Sequence, residues 1–119
     1  MRKRARTKRA LGRSGPRSGR RPVSEVIYID WHVTPFRANE FLEIWRPAAA
    51  RALAFGAGSW SLTRNIEDPL HIRQSATWER REDFERYWYS EEISTAREAA
   101  VNYYGKPVLP VWHSLVGAE

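Results

Sequence analysis

Between His71 and Ser90 the chain reads HIRQSATWERREDFERYWYS, and its apolar period changes from two to three and four within twenty residues. The first half is a strand, Ile72 to Trp78. Ile72, Gln74, Ala76 and Trp78 share one face by the two-residue period, and Arg73, Ser75 and Thr77 share the other. A helix follows over Glu82 to Tyr89, with Glu82 and Asp83 in its first turn, where carboxylates favour the positive end of the helix dipole. Phe84, Tyr87 and Trp88 are three and four apart and make one apolar stripe. Strand and helix pack together, which brings Gln74 and Trp78 close to that stripe.

The remaining elements fit around this pair. Val23 to Val33 is a strand by its β-branched and aromatic content. Ile27, Ile29, Trp31 and Val33 point one way; Val26, Tyr28, Asp30 and His32 point the other. Thr34-Pro35 is expected to open a helix, with Thr34 at the cap and Pro35 in the first turn. Phe41, Leu42, Trp45, Ala48, Ala49, Ala52 and Leu53 give that helix its inner face. Pro47 is expected to kink or divide it near Ile44 to Arg46, and Gly56 and Gly58 to end it. Ser59 to Arg64 is a short strand, and Leu70 to Trp78 returns beside it after a turn at Asn65, Asp68 and Pro69. Ser90 can cap a second helical segment with Ile93, Ala96, Arg97, Ala100 and Tyr104 on its inner stripe. Gly105 and Pro107 stop it. Val108 to Val116 is the last strand, and Pro110 within it demotes it to an edge or a bulge.

Strand-helix-strand-strand-helix-strand is the split βαβ order of a ferredoxin-like α+β domain: a four-stranded antiparallel sheet with its helices on one face. Tyr28, Val26, Val111 and Leu115 are candidates for the face left bare. A monomer exposing such a patch is unusual, so a two-fold homodimer packed sheet to sheet is expected.

Charge divides the chain in two. The 119 residues are the size of one domain, yet residues 1–22 hold ten Lys or Arg and no acid, while the rest is net −4. This first stretch lacks an apolar face and is expected to be a disordered basic tail, with the domain spanning 23–119. Two readings of the tail compete: a phosphate-attracting arm, or an upstream stretch translated ahead of a true start at Val23. Nucleic acid is expected as a partner only through this tail, because the body is acidic. With no Cys, disulfides and thiolate chemistry are excluded, which fits a cytoplasmic protein. No apolar run nears the roughly 18 residues of a membrane span. Three His at no fixed spacing make no metal signature.

The element order and the stretch ATWERREDFERYWYSEE, a strand-end Trp-Glu followed by an Asp-Phe helix with a Ser near its end, resemble the antibiotic biosynthesis monooxygenase-type domains of the dimeric α/β barrel superfamily. The resemblance covers roughly Val26 to Val116. One polyketide-oxidising branch of that family uses an Asn, a Trp four residues later and a Tyr six beyond that. Those positions here hold Gln74, Trp78 and Phe84, so the Trp matches, an amide survives on a longer arm and the phenol is lost. The haem-degrading branch uses a first-strand Asn, a helix Trp and a His. Here the first strand has no Asn, and the other two positions hold Tyr87 and Arg97, which argues against haem degradation.

The resemblance implies oxygenation of a small aromatic, quinol-like or polyketide-like substrate without a cofactor. Such a site binds an aromatic plane, favours its anion and excludes water. The candidate catalytic residues are Gln74 for a substrate oxygen, Trp78, His32 as a base near neutrality and Arg97 for an anion; Phe84, Tyr87 and Trp88 are candidates for the substrate plane. The rival reading makes the aromatic residues ordinary core and the protein a non-catalytic ligand-binding or scaffold dimer.

Overall fold

The computed structural model describes residues 25–106 and 108–118. The expected basic tail, the first two residues of the expected opening strand and Pro107 lie outside the described residues. The chain forms β1 (Glu25–Val33), α1 (Ala38–Ala50), a 3₁₀ turn over Arg51–Phe55, β2 (Ser59–Arg64) and β3 (His71–Trp78). Then come α2 (Arg81–Trp88), α3 (Glu91–Ala100), a 3₁₀ turn over Val101–Tyr103, β4 (Tyr104–Gly105) and β5 (Val111–Ser114).

The sheet is antiparallel in the order β2-β3-β1, and β4 and β5 both pair with the remaining edge of β1. Its five strands therefore occupy four lanes, in the ferredoxin-like α+β arrangement. From Tyr28 to His32 is four residues along β1, but the matching step from Val111 back to Gly105 is six. The outer lane slips by two residues, at a segment where Lys106 takes φ 64° and Pro110 offers no N–H. The expected strand from Val108 to Val116 is shortened to Val111–Ser114 for this reason.

Alternation along the strands sorts the two faces as the sequence implies. Ile27, Ile29, Trp31 and Val33 on β1 and Ile72, Gln74, Ala76 and Trp78 on β3 are buried under the helices. They meet Phe41, Trp45, Ala48 and Ala49 of α1 and Phe84, Tyr87 and Trp88 of α2 in one core. Ser90 caps α3 by accepting from the Ile93 N–H at 3.2 Å.

Four local expectations are corrected. Thr34-Pro35 makes a turn instead of opening the helix: the Arg37 N–H reaches the Thr34 carbonyl at 3.0 Å and Phe36 sits at φ 68°. A left-handed residue cannot continue into an α-helix, so α1 starts at Ala38. Pro47 does not divide α1. It and Glu43, whose carbonyl loses a partner, lie on the exposed side, where water can replace the missing bond. Leu53 is not on the inner face but 50% exposed, because the tighter 3₁₀ turn rotates it away from the α1 stripe. Tyr104 leaves the helix and reaches the core from β4, with its ring 4.9 Å from Trp31. Gly56 ends the 3₁₀ turn as expected, at φ 112°, and a Cβ there would meet the Asp83 carboxylate at 3.1 Å.

Candidate functional site

Gln74 is the one buried polar side chain among the described residues, at 2% exposure. Its partners come from across the core. Trp45 Nε1 donates to its Oε1 at 2.8 Å and Trp31 Nε1 donates to the same oxygen at 3.2 Å. Two indole donors converging on one atom fix which end of the amide is oxygen and fill both of its lone pairs. Gln74 Nε2 donates to the Tyr87 hydroxyl at 3.2 Å, and that hydroxyl donates to the Ala48 carbonyl at 2.7 Å. Ala48 is four residues before Ala52 in the stretch where α1 tightens into 3₁₀, so the phenol braces a carbonyl at the end of the helix. Burial pushes the Tyr87 phenol up to about 12, outweighing the Gln74 hydrogen bond that acts the other way. At neutral pH Tyr87 is a fixed O–H donor.

Trp78 contrasts with this network. It is 1% exposed and its Nε1 is the only buried side-chain donor or acceptor among the described residues with no partner. Its ring is walled by Phe84 at 5.7 Å and Tyr87 at 5.8 Å. Phe84 also stacks on Trp88 at 5.7 Å and meets Trp112 edge-on at 5.5 Å, while Trp88 stands 6.3 Å from both Trp31 and Trp45. The aromatic stripe of α2 thus packs directly over Trp78.

The seven sequence candidates fall in three places. Gln74, Trp78, Phe84, Tyr87 and Trp88 are together under the helices. His32 is not with them: it alternates with Trp31 and lies on the uncovered face, its ring stacked 5.1 Å from that of His71. Arg97 reaches neither Gln74 nor Trp78. One guanidinium nitrogen donates to the Trp88 carbonyl at 2.6 Å, and the cation lies 4.3 Å over the Trp88 ring. It caps the negative end of α2, and burial pulls its pKa down from the usual value.

Trp31, Trp45 and the Ala48 carbonyl complete the Gln74 network and were not singled out from the sequence. The available signal was an amide on a core face with indoles on two other core faces: each needs a hydrogen-bond partner once buried.

The open clefts lie elsewhere. One of about 590 Å³ separates α1 from β2, between Leu42 and Arg46 on the helix and Trp60, Leu62 and Arg64 on the strand, with Ile72 at its base. A hollow of about 320 Å³ lies beside Arg97 and Tyr104. Among the described residues, no three His, Asp or Glu stand close enough to hold a metal ion, and no helix is long and apolar enough to cross a membrane.

No family model matches the sequence, and no curated protein matches it. Solved structures do. A candidate antibiotic biosynthesis monooxygenase from Nitrosomonas europaea is 14% identical with a TM-score of 0.73, over 81% of this chain and 93% of that one. A Pseudomonas aeruginosa protein is 14% identical with a TM-score of 0.72, over 83% and 100% of the two chains. A further antibiotic biosynthesis monooxygenase is 16% identical with a TM-score of 0.68, over 79% and 99%. At such identities the likeness is one of backbone, and it agrees with the element order read from the residues: the chain has the α+β fold of an antibiotic biosynthesis monooxygenase-type domain.

Proposed function

We propose that the protein is a cytoplasmic homodimer that oxidises a small aromatic, quinol-like or polyketide-like substrate with dioxygen and without a cofactor, at the buried aromatic cluster around Trp78, which would have to open to admit it. The observation that carries this reading is the unpartnered Trp78 Nε1–H, a buried donor framed by aromatic rings. A buried N–H without an acceptor costs about 1–3 kcal/mol, and a substrate oxygen would recover that. In the reaction a phenolate gives electrons to dioxygen, a ring C–H becomes C=O, and the second oxygen atom leaves as water. Phenol and dioxygen thereby balance quinone and water. Trp78 Nε1 would hold the oxygen on which negative charge gathers, while Phe84, Tyr87 and Trp88 orient the ring and exclude solvent. Gln74 acts here as a positioning residue, since its amide is held by Trp31, Trp45 and Tyr87.

Oxygen uptake with 1-naphthol and 1,4-dihydroxynaphthalene tests the proposal. Uptake above the protein-free background is expected, reduced about tenfold or more by Trp78→Phe, in keeping with loss of one charge-stabilising donor. Trp112→Phe, which alters the same aromatic cluster without touching that donor, is expected to keep the rate. Background uptake throughout would sink the enzyme reading.

A second reading is favoured by the saturation of Gln74: an aromatic-binding dimer without turnover. It is distinguished by saturable binding of the same naphthols with oxygen uptake at background. Dimerisation through the uncovered face is supported by Tyr28 and Val111, paired directly across β1 and β5 on that face. Sedimentation is expected to give two chains per particle, and Tyr28→Asp one.

A further inference from the structure

We infer that the cleft between α1 and β2 is a binding site for a planar aromatic carboxylate, separate from the aromatic cluster around Trp78. None of Gln74, Trp78, Phe84, Tyr87 or Trp88 lines it. Its volume of about 590 Å³ lies within the range of small-molecule sites, roughly 300–1,000 Å³.

Its walls combine apolar side chains with two arginines, Ser61 and Thr63. Trp60 and Leu62 lie on the helix-facing side of β2, opposite Ala76 and Gln74, and both are half-buried. Leu42 faces them from α1 and Ile72 is buried at the base. Together they form an apolar slot with an indole on one side. Two guanidinium groups, Arg46 from α1 and Arg64 from the end of β2, border the same slot, and no acidic side chain lines it.

The two differ from most of the arginines among the described residues. Arg37, Arg51, Arg73, Arg80, Arg81 and Arg86 each pair with a carboxylate, whereas neither Arg46 nor Arg64 does so among the described residues. The carboxylate nearest Arg46 in sequence, Glu43, faces an adjoining hollow shared with Arg46, and neither it nor Glu67, as near to Arg64, makes an ion pair among the described residues. An apolar slot bordered by two uncommitted forks selects a flat apolar body carrying an anion. A carboxylate matches the guanidinium fork with two parallel hydrogen bonds, and the indole of Trp60 offers its face to the ring.

The probes are 2-naphthoate and its uncharged amide, 2-naphthamide, titrated calorimetrically into the full chain. Naphthoate is expected to bind at least about tenfold more tightly than naphthamide. Arg46→Gln and Arg64→Gln should each weaken naphthoate by about five- to tenfold and leave naphthamide unchanged. Trp60→Ala should weaken both. Arg46 and Arg64 are exposed, so an unchanged thermal midpoint shows that these variants fold. Equal affinity for the two probes overturns the assignment. So does undiminished naphthoate binding in the Arg46→Gln/Arg64→Gln double variant, since the anion would then be held elsewhere, the basic residues 1–22 included. These outcomes are independent of oxygen uptake, so turnover and this site stand or fall separately.

Discussion

The two faces of the sheet are built from alternate residues of the same strands, and they solve opposite problems. Under the helices, Trp31 and Gln74 are withdrawn from water and must find each other, because each indole or amide group left alone there is costly. On the uncovered face, Ser61 and Ser75 share a hydrogen bond at 2.7 Å, Ser59 and Thr77 at 2.9 Å, and Asp30 takes Arg73 at 2.9 Å and His71 at 2.8 Å. Those groups keep contact with water, which replaces any bond they lose. Polar groups on one face are thus structural necessities; on the other they are surface furnishings that leave room for a partner.

The sharpest way to break this comparison is Gln74→Leu. Two indole N–H groups and the Tyr87 hydroxyl would lose partners in the core, and we expect a loss of about 3–5 kcal/mol by urea unfolding. If the variant were as stable as the parent, the covered face would be no more demanding than the open one.

Asp30→Asn is the matching test on the open face and should cost under about 1 kcal/mol at neutral pH, since both Asp30 and Arg73 are well hydrated. Its pH dependence sharpens the contrast. Hydrogen bonds from the Arg73 guanidinium, reinforced by His71, hold the Asp30 carboxyl below its usual 3.8. A carboxyl depressed by folding contributes stability above its unfolded value and loses it as the pH falls through the folded one. The gap between parent and Asp30→Asn should therefore be full at pH 6 and close below about pH 3.8. A gap that persists there means the ion pair is not its origin.

The smallest effect belongs to Ser61→Ala. It removes one half of an exposed hydroxyl pair and should shift stability by no more than about 0.5 kcal/mol. A larger loss would place Ser61 inside the contact of the proposed dimer, beyond Tyr28 and Val111 on β1 and β5 that support it.

Most of the frame was legible in the residues. The two-residue alternation of β1 and β3 assigns every side chain to its face, and Ser90 announces the start of α3 by cap chemistry that operates over three residues. What escaped was long in range or hidden in backbone conformation. Gln74 stands out as an amide on an apolar face, but Trp31 and Trp45 are 43 and 29 residues away, and only the packed core puts both indoles on one oxygen. Thr34-Pro35 carries the local signs of a helix start, and a positive φ at a phenylalanine leaves no mark in sequence. His32 looked catalytic by its chemistry, while its parity with Trp31 had already sent it to the other side of the sheet. Arg97 has the chemistry of an anion binder, yet its guanidinium is taken by the Trp88 carbonyl at the end of α2.

The broken outer lane has a bearing on whether a second copy could pair edge to edge with this one. β4 is two residues long and β5 four, with a register slip between them and Pro110 just ahead of β5. A strand from another copy needs an unbroken row of amides to zip onto, and this side supplies no such row. Were β2 of one copy able to add there, the pairing would repeat end on end and draw the protein into fibres; β2 meeting β2 closes after two copies. The fractured edge thus disfavours end-on-end strand addition on that side of the sheet.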